Sequence, residues 1–268
     1  MRRKSLLKSG LLLALALVLV LSATACSSSS DTAAAKLVIG VDDSYPPMEY
    51  RDENNTLIGF DIDMTNALAE KLGMEVEYVS TAWDGIFQGL NAGKYDAIIS
   101  SVSMTNARLE EFEFTKPYLA NGQVIVVAPD DDSISTPEDL AGKRVGVQLS
   151  TTADEAVQKQ LEKTEFEVTK YDDIMQTFTA MEAGRIDAIV VDAAVAMDYV
   201  AKSPDKFKIS SAQLTNEPIS ICLKKGNTEL QEKLQGALDE LKEDGTLKDI
   251  SIKWFGDDYT SNIDETLY

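Results

Sequence analysis

The sequence predicts an α/β protein of two similar lobes, each a mainly parallel sheet flanked by helices, joined by two crossover segments. Three observations carry this. A stretch ending near residue 101 recurs near residue 192, the order of strands and helices restarts after Pro129, and residues 219–268 hold too little for a third lobe.

The recurrence is "NAGKYDAIISS" (91–101) against "EAGRIDAIVVD" (182–192). Phe87, Leu90, Ala92, Gly93, a cation, Asp96, Ala97 and Ile98 answer to Phe178, Met181, Ala183, Gly184, a cation, Asp187, Ala188 and Ile189 at a constant offset of 91. One well-separated copy implies two similar units rather than a solenoid.

Taken in order, "LVIGV" (37–41) is a short β-branched run of the kind that forms a buried strand. "GFDIDMTNALAEKLG" has a helical pattern, with Asp61 as a plausible N-cap and Gly73 as its stop. A strand "VEYVS", a helix "WDGIFQGLNAG", a strand "YDAIIS" and a strand "GQVIVVA" (122–128) follow. Strands alternating with helices indicate βαβ units. After a polar connection the series repeats: "KRVGVQLS", a helix from "STTADEA", "FEVTKY", "DIMQTFTAMEAG" and "IDAIVV". Gly40-Val41 answers Gly146-Val147, and Ser44 answers Ser150. The tail supplies a strand within 217–226 and two helices, which return the chain to the first lobe. The expected organisation is 36–126 with 219–268 as the first lobe and 127–218 as the second.

The N-terminal region reads as an export signal. Arg2, Arg3, Lys4 and Lys8 precede the apolar run 11–21, which is short for a bilayer span, and residues 1–25 are expected to be a signal peptide. Small residues lead into Cys26 and resemble the lipobox of bacterial lipoproteins, with Ala23 where Leu is usual. That resemblance implies lipidation at Cys26 and a membrane-anchored protein on the extracytoplasmic face. Residues 26–35, small and polar, form a flexible tether. Only Cys222 remains in the body, so a buried free thiol is expected. Without the four leading cations, 21 Lys+Arg stand against 45 Asp+Glu, a net charge of −24. Nucleic-acid binding needs clustered cations, and such a balance argues against it.

Ligands of open α/β sheets bind outside the carboxyl ends of strands, near helix N-termini. The first strand end delivers Asp42, Asp43 and Tyr45. "DAIIS" delivers Ser101, Ser103 and then Arg108. "RVGVQ" ends at Gln148 and runs into Ser150, Thr151 and Thr152 at a helix start. "DAIVV" ends at Asp192, which the repeat sets opposite Ser101. Trp83 is a candidate aromatic wall beside Tyr45. Asp61, Asp63, Asp96 and Asp187 read as structural.

The segments "GVDDSYPPMEY", "GFDIDM", "AWDGIFQGL", "GKYDAIISSVSMTNAR", "TKPYLANGQVIVV", "KRVGVQLSTTA", "GRIDAIVVD" and "LKEDGTLKDISIKWFG", in order from Lys36 to Gly256, resemble the substrate-binding proteins of bacterial ABC importers for polar amino acids. The resemblance implies a two-lobed periplasmic-binding-protein-like fold that captures an amino acid and delivers it to an ABC permease, as a monomer and without cofactor or metal. Arg108 holds a carboxylate bidentately, the helix start at Thr151–Thr152 adds N–H groups, and Asp192 pairs with the ammonium. These are the roles the resemblance gives the matching positions, with Ser103 bridging both groups. Its relatives commonly have Gly at the position of Ser150, and a Cβ there is expected to narrow the cleft. Asp42 beside Tyr45 and Trp83 suits a cationic or strongly hydrogen-bonding tail, so arginine and lysine are favoured, then glutamine or cystine. The alternative is an enzyme on the same fold using the cleft carboxylates. A chain without histidine lacks the commonest general base, which disfavours it.

Overall fold

A computed structural model describes residues 35–266. The expected signal peptide, most of the expected tether and Cys26, the expected lipidation site, lie outside the described residues. The strands are β1 (Lys36–Val41), β2 (Ser44–Tyr45), β3 (Glu49–Arg51), β4 (Leu57–Ile58), β5 (Glu75–Ser80), β6 (Ala97–Ile98), β7 (Phe112–Phe114), β8 (Gln123–Val127), β9 (Arg144–Gln148), β10 (Glu167–Tyr171), β11 (Ala188–Asp192), β12 (Lys208–Gln213) and β13 (Cys222–Lys224).

Two five-stranded sheets follow one plan. The first has the order β5-β1-β6-β13-β7 and the second β10-β9-β11-β8-β12. In each, three parallel strands come first, and the fourth strand runs antiparallel to both of its neighbours. The tail strand β13 enters the first sheet between β6 and β7. A third, small sheet has the order β2-β3-β4.

The repeat is physical as well as textual. Helices Trp83–Asn91 and Ile174–Glu182 each end in a left-handed glycine, Gly93 at φ 72° and Gly184 at φ 66°. There glycine carries no Cβ penalty. Lys94 N–H then donates to Gly89 O, and Arg185 N–H to the equivalent Ala180 O. A Cβ on Gly40 would lie 2.6 Å from the Tyr95 ring, and one on Gly146 2.5 Å from Ile186. Tyr95 and Ile186 are themselves 91 apart, so both lobes close the same strand-to-loop contact with a glycine. Asp96 accepts from Val38 N–H and Asp187 from Arg144 N–H, each at 2.9 Å, which makes both structural as expected.

Several expectations are corrected. Gln123–Val127, assigned up to residue 126 to the first lobe, pairs with β11 and β12 in the second sheet. The chain therefore crosses before Gln123. A fully buried strand such as "QVIVV" has no face that betrays its sheet, so pairing alone decides. Asp61 is not an N-cap: the helix Phe60–Leu72 starts from Gly59, at φ 143°, with Asp61 buried in its first turn. A Cβ on Gly59 would lie 2.0 Å from Met48 O, which demands glycine there. Within 217–226 only Cys222–Lys224 is a strand, while Ile219 bridges to Ser103 and Leu119 on the crossing. "YDAIIS" is a strand only at Ala97–Ile98, because Ser101 takes φ 49° and turns the chain toward the cleft. Cys222 is buried and free, as expected.

Candidate functional site

The two sheets face each other across a cleft whose interior is lined by Tyr45, Glu49, Trp83, Ser100, Ser101, Ser103, Arg108, Gln148, Thr151, Thr152 and Asp192. Its empty volume is about 290 Å³. It is a narrow slot between walls already in contact. Nine of the ten residues expected at the site line it, and Asp42 does not.

Arg108 stands on the short helix Asn106–Glu111, capped by Thr105, whose Oγ1 accepts from Arg108 N–H at 3.2 Å. Its Nη1 donates to Ser103 O at 2.9 Å, and its guanidinium lies 5.7 Å from the Trp83 ring centroid and 4.9 Å from that of Phe87. The aromatic faces fix the plane of the fork and stabilise its charge. Among the described residues it forms no ion pair, with Glu110, Glu111 or any other carboxylate. Burial lowers its proton affinity. It is the only Lys or Arg on the slot, so most of its donors remain available to an anion.

Thr151 caps the helix Thr152–Leu161, accepting from Asp154 N–H, and donates to Gln148 O at 2.8 Å. Thr152 is buried, and its Oγ1 lies 3.4 Å from Ser103 Oγ on the other wall. The helix N-terminus therefore faces the same side of the slot as Arg108. Ser150 has φ 61°, a left-handed conformation that accounts for glycine being usual there. Its side chain does not line the slot, so the expected narrowing does not occur; its carbonyl instead accepts from Trp83 Nε1 at 3.0 Å.

Asp192, at the end of β11, is saturated. Tyr45 Oη from the first lobe, Asn121 Nδ2 and Gln123 Nε2 all donate to it, the last at 2.8 Å. Burial raises its proton affinity while those donors oppose the shift. Among the described residues no Lys or Arg forms an ion pair with it. Asp192 also stands at the N-cap position of the helix Ala193–Lys202, but its side chain makes no capping bond there.

Asp42 lies behind the wall. It accepts from Ser44 Oγ at 2.7 Å and from Gln148 Nε2 at 2.9 Å, a bond that ties the two lobes together. Asp43 pairs with Arg51 and Ser80 on the outside. The carboxylate on the slot is instead Glu49, which sequence reasoning missed, as it missed Ser100. Tyr45 and Glu49 are register partners across the β2–β3 hairpin, so their side chains share a face. The signal was an acid in "PPMEY" only four residues after Tyr45. Glu49 is fully buried; Ser100 Oγ donates to one oxygen at 2.6 Å, and the other, Oε2, has no partner. Ser101 Oγ is likewise buried and unpartnered. Sequence reasoning also missed Asn121 and Gln123, because they sit on the crossing segment rather than at a strand's carboxyl end.

A two-lobed fold with one polar slot, a free guanidinium on one wall and an unneutralised carboxylate on the other, defines a solute-binding protein. Residues 37–257 match the family of bacterial extracellular solute-binding proteins, family 3, and the chain belongs to it. It is 33% identical over 225 residues to the L-cystine-binding protein TcyJ of Escherichia coli K12, covering 84% of each chain. Among solved structures, an ancestral arginine-binding protein bound to arginine superposes with a TM-score of 0.79 at 42% identity, over 83% of this chain and 99% of that one. An ancestral amino-acid-binding protein, a precursor of cyclohexadienyl dehydratase, gives 0.77 at 36% identity, over 82% and 96%.

Proposed function

We propose that this protein captures a polar α-amino acid between its lobes and delivers it to an ABC permease, without transforming it. The carrying observation is the pairing of charges on the slot: Arg108, with free donors, and Asp192, with no cation. An α-carboxylate takes the Arg108 fork and the helix start at Thr151–Thr152, and the α-ammonium takes Asp192, displacing Tyr45. The tail then points to Glu49 and the unpartnered Ser101 hydroxyl. A buried acid with a free oxygen, among aromatic walls, favours arginine or lysine, then glutamine or cystine.

A slot this narrow receives its ligand when the lobes part. Tyr45–Asp192, Asp42–Gln148 (2.9 Å), Ser44–Asp173 (3.1 Å) and Trp83–Ser150 (3.0 Å) are the bonds that open. The crossings near 119–122 and 214–218 are the hinge, and they bond to each other through Glu217 N–H to Asn121 O at 3.0 Å. The lobes divide there, the protein acts as a monomer on the extracytoplasmic face, and Cys26 carries the lipid. Catalysis on the same fold is the second reading, favoured by the dehydratase precursor among its neighbours; the saturated Asp192 and the absence of histidine weigh against it.

Thermal unfolding against the common amino acids tests this. A ligand that binds only the native state stabilises it by RT ln(1 + [L]/Kd), about 4 kcal/mol at a thousandfold excess over Kd. A rise in Tm of several degrees with arginine, lysine or glutamine supports the proposal, and no shift with any amino acid refutes it.

A further inference from the structure

Behind the slot, Glu49 on β3 and Asp61 on the helix Phe60–Leu72 are both fully buried, and their carboxyl groups interact directly. Their satisfaction is unequal. Asp61 accepts from Ser101 N–H at 2.8 Å and from Tyr118 Oη at 2.9 Å. Glu49 accepts only from Ser100 Oγ, and its Oε2 has no donor although Glu49 lines the slot. The groups facing Glu49 from the surrounding elements are Asp61, Asp42, Tyr45 and Tyr118, none of them a cation. Two buried carboxylates side by side do not both ionise, and a shared proton belongs on the less satisfied one. A proton on Oε2 also converts the orphaned acceptor into a donor.

We propose that the Glu49–Asp61 pair holds one proton in the empty protein, releases it when a cationic tail enters, and keeps it when the tail is an uncharged amide. One residue then serves two chemistries. As a carboxylate Glu49 pairs with a guanidinium or ammonium; as a carboxylic acid it donates to an amide carbonyl. The exchange balances simply: the Glu49 O–H bond breaks, the proton leaves to solvent, and the ligand keeps its charge. Burial, with the charge of Asp61 beside it, holds Glu49 well above the ordinary carboxylate range, and burial raises Asp61 to about 6. The free protein thus binds more protons than its complex with a cationic ligand, so affinity for that ligand rises with pH.

This inference rests on the amino-acid-binding reading, and calorimetry separates the two. The wild-type protein is titrated with L-arginine and L-glutamine near neutral pH in buffers of differing ionisation enthalpy, and the heats give the protons released. Arginine is expected to release a substantial fraction of one proton, more as pH is lowered toward the pair's titration, and glutamine close to none. In Glu49→Gln the release is expected to vanish, and arginine affinity to fall about tenfold or more, by a larger factor than glutamine affinity. Arginine binding with no proton released, or glutamine releasing as many, overturns the exchange alone. Absence of binding by both ligands overturns this proposal, and the functional reading falls with it if no other amino acid raises the melting temperature.

Discussion

The two walls of the slot come from equivalent strand ends of a repeated unit, yet they are finished differently. On the first wall Ser101 Oγ and Glu49 Oε2 are buried without partners, and Arg108 has donors to spare. On the second, at the position equivalent to Ser101, Asp192 accepts three bonds, Thr151 caps its helix and Gln148 is tied to Asp42. The unpartnered groups make the first wall costly when empty and selective when filled, because a ligand that pairs them removes a desolvation penalty. The saturated groups make the second a rigid clamp whose bonds a ligand exchanges one for one. The repeated unit supplies the frame, and the differences at a few strand ends divide the work.

The largest expected effect comes from the first wall. Arg108→Ala removes the only cation on the slot and leaves the α-carboxylate unpaired in a desolvated site, a loss of roughly 2–5 kcal/mol, or about two to four decades of affinity. Calorimetry on the variant checks it, with circular dichroism confirming the fold. Normal binding would reduce Arg108 to a packing residue on Trp83 and Phe87.

A smaller effect comes from pH. Glu49, Asp61, Asp192 and Asp42 all have raised proton affinity through burial, Asp61 to about 6. Carboxyl groups raised in the folded state bind protons that the unfolded chain has released, so stability falls as pH rises from the unfolded value near 4 through the folded values. The ligand-free protein is expected to melt higher near pH 6 than near pH 8, each proton contributing up to about 1.4 kcal/mol per pH unit. The depressed carboxylates, such as Asp187 and Asp244, oppose this only below their own unfolded values. Melting temperatures that rise toward pH 8 would contradict the unneutralised burial.

The smallest effect is on the second wall. Thr151→Ala removes a cap and is expected to cost about 1 kcal/mol of stability. Because Thr151 holds the helix start rather than the ligand's tail, arginine and glutamine affinities should fall by similar factors in calorimetry. A loss confined to one of them would give Thr151 a part in selection.

Much of this was legible in the sequence. Apolar periodicity and the offset of 91 gave the two sheets, and the strand ends, with Trp83, gave nine of the eleven residues that line the slot, since an α/β sheet exposes its chemistry there. What escaped lacks a local signal. β12, "KISSAQ", is too polar to read as a strand and exists only because β8 offers it an edge. β8 itself is buried along its whole length, so its lobe could not be told from its residues. Asp42 was expected on the slot and Glu49 was not, because which of two nearby acids faces inward depends on the β2–β3 pairing and on Gln148, which reaches Asp42 from 106 residues away.

The central claim is that one amino acid bridges both walls through its α-groups. Titrating the wild-type protein with L-arginine and with agmatine, which keeps the guanidinium but lacks the α-carboxylate, tests it most directly. L-arginine is expected to bind about a hundredfold or more tightly than agmatine, the cost of leaving Arg108 unpaired. Equal affinities would contradict the account, since the slot would then be reading the tail alone.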